Sequence, residues 1–230
     1  MNLQTHMLYA DDEQLTCEVE LRDRNVIILH GAGQANRQRY YTFAKELLGR
    51  GVGVVLFDFS GHGDSSGLLS ELSLARRVRQ AQAVIDHFMG KNRRFYLVGF
   101  SMSGQTVCDL LPLYGDRVEA ILLGCPGIYA EEARSLVFGE FEFTATIRRP
   151  NSWQTSTAPQ SVREFAGRTI IAIGDNDAVI PAGVIELLKV AAKRAIYRVY
   201  PGVSHQLAAW LGEHPAKLDQ LVDDLVLDKS

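Results

Sequence analysis

Ser101 stands at the centre of a stretch, Gly99-Phe100-Ser101-Met102-Ser103, whose residue types and spacing could make a nucleophile. The apolar run Phe95-Tyr96-Leu97-Val98 before it reads as a buried strand. Residues 105–113 after it read as a helix, with Val107, Leu110 and Leu111 at helical spacing. A strand that turns sharply into a helix lifts the turn residue above the sheet edge and aims the first helix amides at negative charge developing beside it. Such a turn needs small residues two before and two after its centre. Centred on Ser101 these are Gly99 and Ser103; centred on Ser103 they would be Ser101 and Gln105, and glutamine is too long. Ser101 is therefore the candidate nucleophile.

A serine hydroxyl needs a base, and the base needs an orienting carboxylate. In a parallel sheet the loops at the C-terminal ends of the strands share one edge, so both partners should come from loops that follow strands. His205 does. His30 and His62 do too, but each lies in a glycine-rich loop where a structural hydrogen bond is expected, and His6, His87 and His214 fall on an early hairpin and on helices. The loop after residues 118–123 offers no acid, whereas the loop after residues 169–173 offers Asp175 and Asp177. Asp177 is preferred, because Asp175-Asn176 suits the turn itself. For the oxyanion, the Met102 amide and the Ala32 amide of His30-Gly31-Ala32-Gly33 are the candidate donors, with Gln34 as the weaker alternative. Gly31-x-Gly33 after a strand could also open a dinucleotide loop, but Asn36 stands where the third glycine belongs.

The elements that must position these residues can be read from periodicity. Residues 7–10 and 14–21 predict an edge hairpin, since Leu15, Cys17, Val19 and Leu21 alternate with polar residues. Val26-Ile27-Ile28-Leu29 is continuously apolar, as in a strand covered on both faces. A helix over 38–50, a strand over 52–57 and a helix over 70–89 with Leu74, Val78, Ala81, Ile85 and Phe88 on one stripe follow. After the candidate turn come strands 118–123 and 169–173, a helix over 183–192, a strand over 195–200 and one final amphipathic helix. The alternation predicts an α/β protein with a mostly parallel sheet and helices on both faces. Residues 124–168 carry Tyr129, Phe138, Phe141, Phe143 and Trp153 together with three prolines, too much for a tight crossover, and predict a short lid-like excursion over the site.

The chain has 230 residues, 47% of them hydrophobic, which suits one core and a single domain, 1–230. A net charge of -3 leaves no basic surplus for phosphate backbones, so nucleic acid is not an expected partner. Cys17, Cys108 and Cys125 form neither a disulfide framework nor a zinc spacing, and no metal or cofactor is expected. Residues 1–12 lack the basic-then-apolar pattern of a leader, and no apolar run is long enough to span a membrane; a cytoplasmic protein is expected.

Taken together, the stretches resemble the α/β-hydrolase family over nearly the whole chain. His30-Gly31-Ala32-Gly33 resembles its oxyanion loop, Gly99 to Ser103 its nucleophile elbow, Gly174-Asp175-Asn176-Asp177 its acid loop and Gly202-Val203-Ser204-His205 its histidine loop, in the family's order Ser, Asp, His. Asp58-Phe59-Ser60-Gly61-His62-Gly63-Asp64-Ser65 resembles the turn of the esterase, lysophospholipase-like and aminopeptidase-like branches. A serine nucleophile argues against haloalkane dehalogenases and epoxide hydrolases, which use aspartate. The resemblance implies the α/β-hydrolase fold with a small lid insertion, and a cofactor-free serine hydrolase of the carboxylesterase kind working through an acyl-enzyme. Ser101 would attack, His205 would carry the proton, Asp177 would orient it, and the Ala32 and Met102 amides would hold the oxyanion. Small-molecule esters are the expected substrates, with thioesters or amides as alternatives in a thioesterase or aminopeptidase-like enzyme. A non-catalytic ligand receptor or scaffold is the alternative of another class. Gln34, Tyr129, Phe138 and Trp153 are the candidate pocket residues for a small or medium acyl or aromatic group, and Arg148-Arg149 reads as a solvated pair.

Overall fold

The structure, a computed structural model, describes residues 1–227. The alternating segment at the N-terminus forms the hairpin β1 (Gln4–Ala10) and β2 (Glu13–Glu20). The apolar runs become β3 (Asn25–Leu29), β4 (Gly53–Phe57), β5 (Phe95–Phe100), β6 (Val118–Gly124), β7 (Arg168–Gly174) and β8 (Ile196–Tyr200). All eight join one sheet in the order β1-β2-β4-β3-β5-β6-β7-β8. β2 pairs antiparallel with both β1 and β4, and every other pairing is parallel. The protein thus has the α/β-hydrolase fold, a mostly parallel sheet flanked by helices.

The strands are continuously apolar because both faces are covered. One set of alternate residues, among them Ile27, Leu29, Val55, Phe57 and Leu97, packs with α2 (Leu74–Met89), α3 (Ser103–Tyr114) and α6 (Ala182–Ala191). The other set, Val26, Ile28, Val54, Leu56, Tyr96 and Val98, packs with α1 (Tyr41–Gly49) and α8 (Pro215–Val226). Ser73 caps α2, its hydroxyl accepting from the Arg76 amide at 3.1 Å, which is why this helix begins later than residue 70. The single final helix expected from the sequence is two, α7 (Leu207–Glu213) and α8. Pro215 has no N–H to continue the hydrogen bonding of α7 but suits the first turn of a helix, and the chain breaks at His214 and restarts there.

Between β6 and β7 the chain is more regular than expected, with α4 (Phe141–Arg148) and α5 (Ala158–Glu164). Helices this short show one or two apolar repeats, too few to stand out among the prolines. α5 packs on α3 and α6 like an ordinary crossover helix. The stretch before it sets Ala130, Ala133 and Phe143 against Leu74 and Met102, beside the candidate nucleophile. No helix among the described residues is long and apolar enough to cross a membrane.

The turn beginning at Asp58 is held by charge. Asp58 is fully buried and receives the Arg37 amide at 2.7 Å, the Asp64 amide at 3.1 Å and the Arg37 guanidinium, which also reaches Glu18 at 3.1 Å and Asp64 at 2.7 Å. The Ser65 hydroxyl donates to the Asp58 carbonyl and accepts from the Thr16 amide, tying the turn to β2. Arg37 opens a short 3-10 turn, Arg37–Tyr40, that leads into α1. Arg37→Ala strands the buried Asp58 carboxylate and is expected to cost about 3–5 kcal/mol. Urea unfolding monitored by circular dichroism checks this, and a loss under 1 kcal/mol would mean that the buried acid is satisfied without Arg37.

Candidate active site

Ser101 follows β5 with a positive φ of 52°, a left-handed conformation that costs a non-glycine residue about 1–3 kcal/mol. The turn closes so tightly that a Cβ on Gly99 would lie 2.5 Å from the Ser103 carbonyl oxygen. α3 begins two residues later, so its N-terminus faces the Ser101 side chain.

The loops after β7 and β8 bring the partners to the same edge. The Ser101 hydroxyl lies 2.9 Å from His205 Nε2, and His205 Nδ1 lies 2.8 Å from Asp177 Oδ2. The tautomer that serves both contacts carries its proton on Nδ1, donated to the carboxylate, and accepts the serine proton at Nε2. Burial alone would raise the Asp177 carboxyl, but hydrogen bonds from His205 and from the Ile180 and Val179 amides outweigh it and hold the group below its ordinary value. Asp177 therefore stays ionised wherever the imidazole is needed as a base. Asp175 is occupied elsewhere, its Oδ1 accepting the Gly202 amide at 2.6 Å.

The loop after β3 passes directly over the serine, where a Cβ on Gly31 would stand 3.2 Å from Ser101 Cβ. No hydrogen bond among the described residues uses the Ala32 or Met102 amide, so both are free to donate. Beside them opens a cleft of about 100 Å³ lined by Ser101, His205, Ala32, Arg39, Tyr40 and Gln206, with Phe100, Gly124 and Cys125 also in its lining. Of the four pocket residues expected from the sequence, none lines this cleft. Gln34 is exposed, Phe138 lies tilted against Phe143 with ring centroids 4.5 Å apart, Trp153 packs against Gly183, and Tyr129 packs in the cluster around Met102.

Residues 22–150 match the family described as Serine aminopeptidase, S33. The chain belongs to this α/β-hydrolase family. A search of curated proteins finds no match. Among solved structures, the hydrolase is similar to the thioesterase domain from the curacin biosynthetic pathway, with 17% identity, 96% of this chain and 100% of that one covered, and a TM-score of 0.74. It is also similar to Est1E from Butyrivibrio proteoclasticus bound to ferulic acid, with 17% identity, 97% and 100% coverage and a TM-score of 0.74. The esterase EaEST from Exiguobacterium antarcticum gives 18% identity, 96% and 99% coverage and a TM-score of 0.74.

Sequence reasoning missed one residue next to the elbow of this hydrolase. Arg77 is fully buried and has no carboxylate partner among the described residues. Its Nη2 donates to the His30 carbonyl at 2.7 Å and to the Ser103 hydroxyl at 2.8 Å, and its guanidinium lies 3.8 Å from the centroid of the Phe59 ring. Ser103 in turn donates to the same carbonyl at 2.6 Å. Arg77 thus ties the entrance of the Gly31-Ala32 loop to the residue two after Ser101. Its Nε and Nη1 find no partner, and burial pulls the guanidinium down to about 9, which still leaves it charged at neutral pH. The signal was present, since Arg77 falls on the apolar stripe of α2 between Leu74 and Ala81.

An unneutralised buried charge is a stability cost, so Arg77→Met should leave the melting temperature unchanged or raised. Turnover should fall roughly ten- to a hundred-fold as the loop loses its register with the serine. Thermal unfolding and steady-state kinetics on one preparation check both; a lower melting temperature with unchanged kcat would reverse this account.

His30 and His62 have structural partners. His30 Nε2 accepts the Phe59 amide at 3.0 Å, and His62 Nδ1 donates to the Ser60 carbonyl at 3.0 Å. Among the described residues, Cys125, Asp177 and His205 form the one group of three potential metal donors, with ligand atoms within 4.8 Å of one another. A metal there would have to displace the His205–Asp177 hydrogen bond. Burial pushes the Cys125 thiol up to about 12, so it is not a competing nucleophile at neutral pH.

Proposed function

We propose that this hydrolase is a serine carboxylesterase for short acyl groups. The observation that carries the reading is the unbroken line of hydrogen bonds from the Ser101 hydroxyl through His205 to an ionised Asp177. His205 takes the hydroxyl proton as Ser101 Oγ bonds to the ester carbonyl carbon. The resulting oxyanion is met by the Ala32 and Met102 amides and the N-terminus of α3. Collapse of that intermediate expels the alcohol, protonated by His205, and leaves an acyl-serine. Water, deprotonated by the same imidazole, then releases the acid and restores Ser101.

The size of the cleft supports a short acyl group. At about 100 Å³ it is smaller than the roughly 150 Å³ cavity that holds a benzene ring. Its lining also bears on the alternatives. No Asp or Glu is among its residues, so the free α-ammonium of an aminopeptidase substrate would find no counter-charge there.

A panel of p-nitrophenyl esters from acetate to decanoate, run beside aminoacyl anilides and acyl-CoA, tests the proposal. Esters of two to four carbons are expected to give the highest kcat/KM. A maximum at long chains, or faster turnover of the anilides or acyl-CoA, would contradict it.

A further inference from the structure

The cleft beside Ser101 carries one permanent charge. Apart from His205, Arg39 is the only ionisable cation in its lining, and no acid opposes it there. The other arginine of the same 3-10 turn is consumed by ion pairs, Arg37 with Glu18, Asp58 and Asp64. Arg39 is different. Its one hydrogen bond runs from Nη1 to Gln206 Oε1 at 3.1 Å, and its guanidinium keeps its other donors.

Arg39 is exposed, and that single contact holds its guanidinium at the cleft without neutralising it. Gln206 directly follows His205, so the contact places a planar cation beside the imidazole that serves the reaction. Because a guanidinium only donates, the Gln206 amide must turn its oxygen to Arg39, which leaves its NH2 group as two further donors at the same place. The guanidinium carries the flat fork of N–H groups that matches a carboxylate, and the Gln206 NH2 group adds donors beside it. The triad's own acid does not line the cleft, since Asp177 lies behind His205 and is engaged by it.

We propose that Arg39 and Gln206 form a carboxylate-recognition site beside Ser101, and that the preferred substrates are short esters bearing a carboxylate. The proposal rests on the serine-esterase reading for its catalytic readout. The small cleft keeps the recognised group within a few bonds of the scissile carbonyl. The carboxylate can be carried by the acid half of the ester, as in a hemiester of a short dicarboxylic acid, or by the alcohol half.

Matched pairs distinguish these sources. p-Nitrophenyl hemisuccinate against p-nitrophenyl butyrate tests the acid half, and acetoxyacetate against ethyl acetate tests the alcohol half. In one pair at least, kcat/KM is expected to favour the anionic ester by about five- to ten-fold at low ionic strength. That ratio should fall towards one in Arg39→Gln and at high salt, while Arg39→Lys keeps part of it. Ratios near one in both pairs, or a preference that survives Arg39→Gln, would overturn the proposal. If the folded protein hydrolyses no ester and Ser101 resists a fluorophosphonate, the esterase reading fails separately. The site is then decided by titration calorimetry with monomethyl succinate: binding that Arg39→Gln abolishes upholds it, and no binding to the wild-type protein refutes it.

Discussion

Ser101→Ala and His205→Ala are each expected to lower kcat by about a million-fold, and the double variant to lose little more. The reason lies in the shared proton. His205 Nε2 is 2.9 Å from the Ser101 hydroxyl, so the hydroxyl attacks only as the imidazole takes its proton. With the serine gone there is no acyl-enzyme, and a remaining base improves nothing. With the imidazole gone, the hydroxyl keeps its proton at neutral pH and is a poor nucleophile. What survives in either variant is binding and whatever the Ala32 and Met102 amides give to a direct attack by water, roughly a thousand-fold over solution. Losses that multiply in the double variant would show two groups acting independently, and the proton relay would have to be abandoned.

The second large effect separates two aspartates that stand two residues apart. Asp177→Asn should lower kcat about ten-thousand-fold with KM little changed, because an amide can hold the imidazole in the wrong tautomer, with its proton facing Ser101. Its carboxylate is the group 2.8 Å from His205 Nδ1. Asp175 Oδ1 instead accepts the Gly202 amide in the neighbouring loop. Asp175→Asn keeps an acceptor oxygen at that place and should change kcat less than ten-fold. Both substitutions fall in the same loop, so the pair is its own control for misfolding. Equal losses in the two variants would remove Asp177 from its special position.

Much of this was legible because the chemistry sits where periodicity breaks. Val26 to Leu29 and Phe95 to Val98 are continuously apolar, and each ends abruptly in glycines and polar residues, so the strands and the loops that carry Gly31 and Ser101 mark one another. Parallel strands then place those loops on one edge without further information. The pocket was not legible in the same way. Tyr129, Phe138 and Trp153 drew attention as aromatics in an irregular stretch, yet packing against Phe143 explains Phe138 and packing on α6 explains Trp153. The cleft is instead built by Arg39, Tyr40 and Gln206, which come from a 3-10 turn and a loop whose approach depends on how that turn and α7 pack on each other. No local pattern encodes that approach. The split of the last helix was visible in Pro215, and α4 and α5 were hidden by their brevity.

The central claim is that Ser101 is an activated nucleophile. Labelling with a fluorophosphonate probe, followed by peptide mapping, tests it without any assumption about the substrate. The account predicts one adduct on the peptide containing Ser101, formed by the wild-type protein and absent from Ser101→Ala. Folded wild-type protein that resists the probe, or an adduct on any other serine, would contradict it.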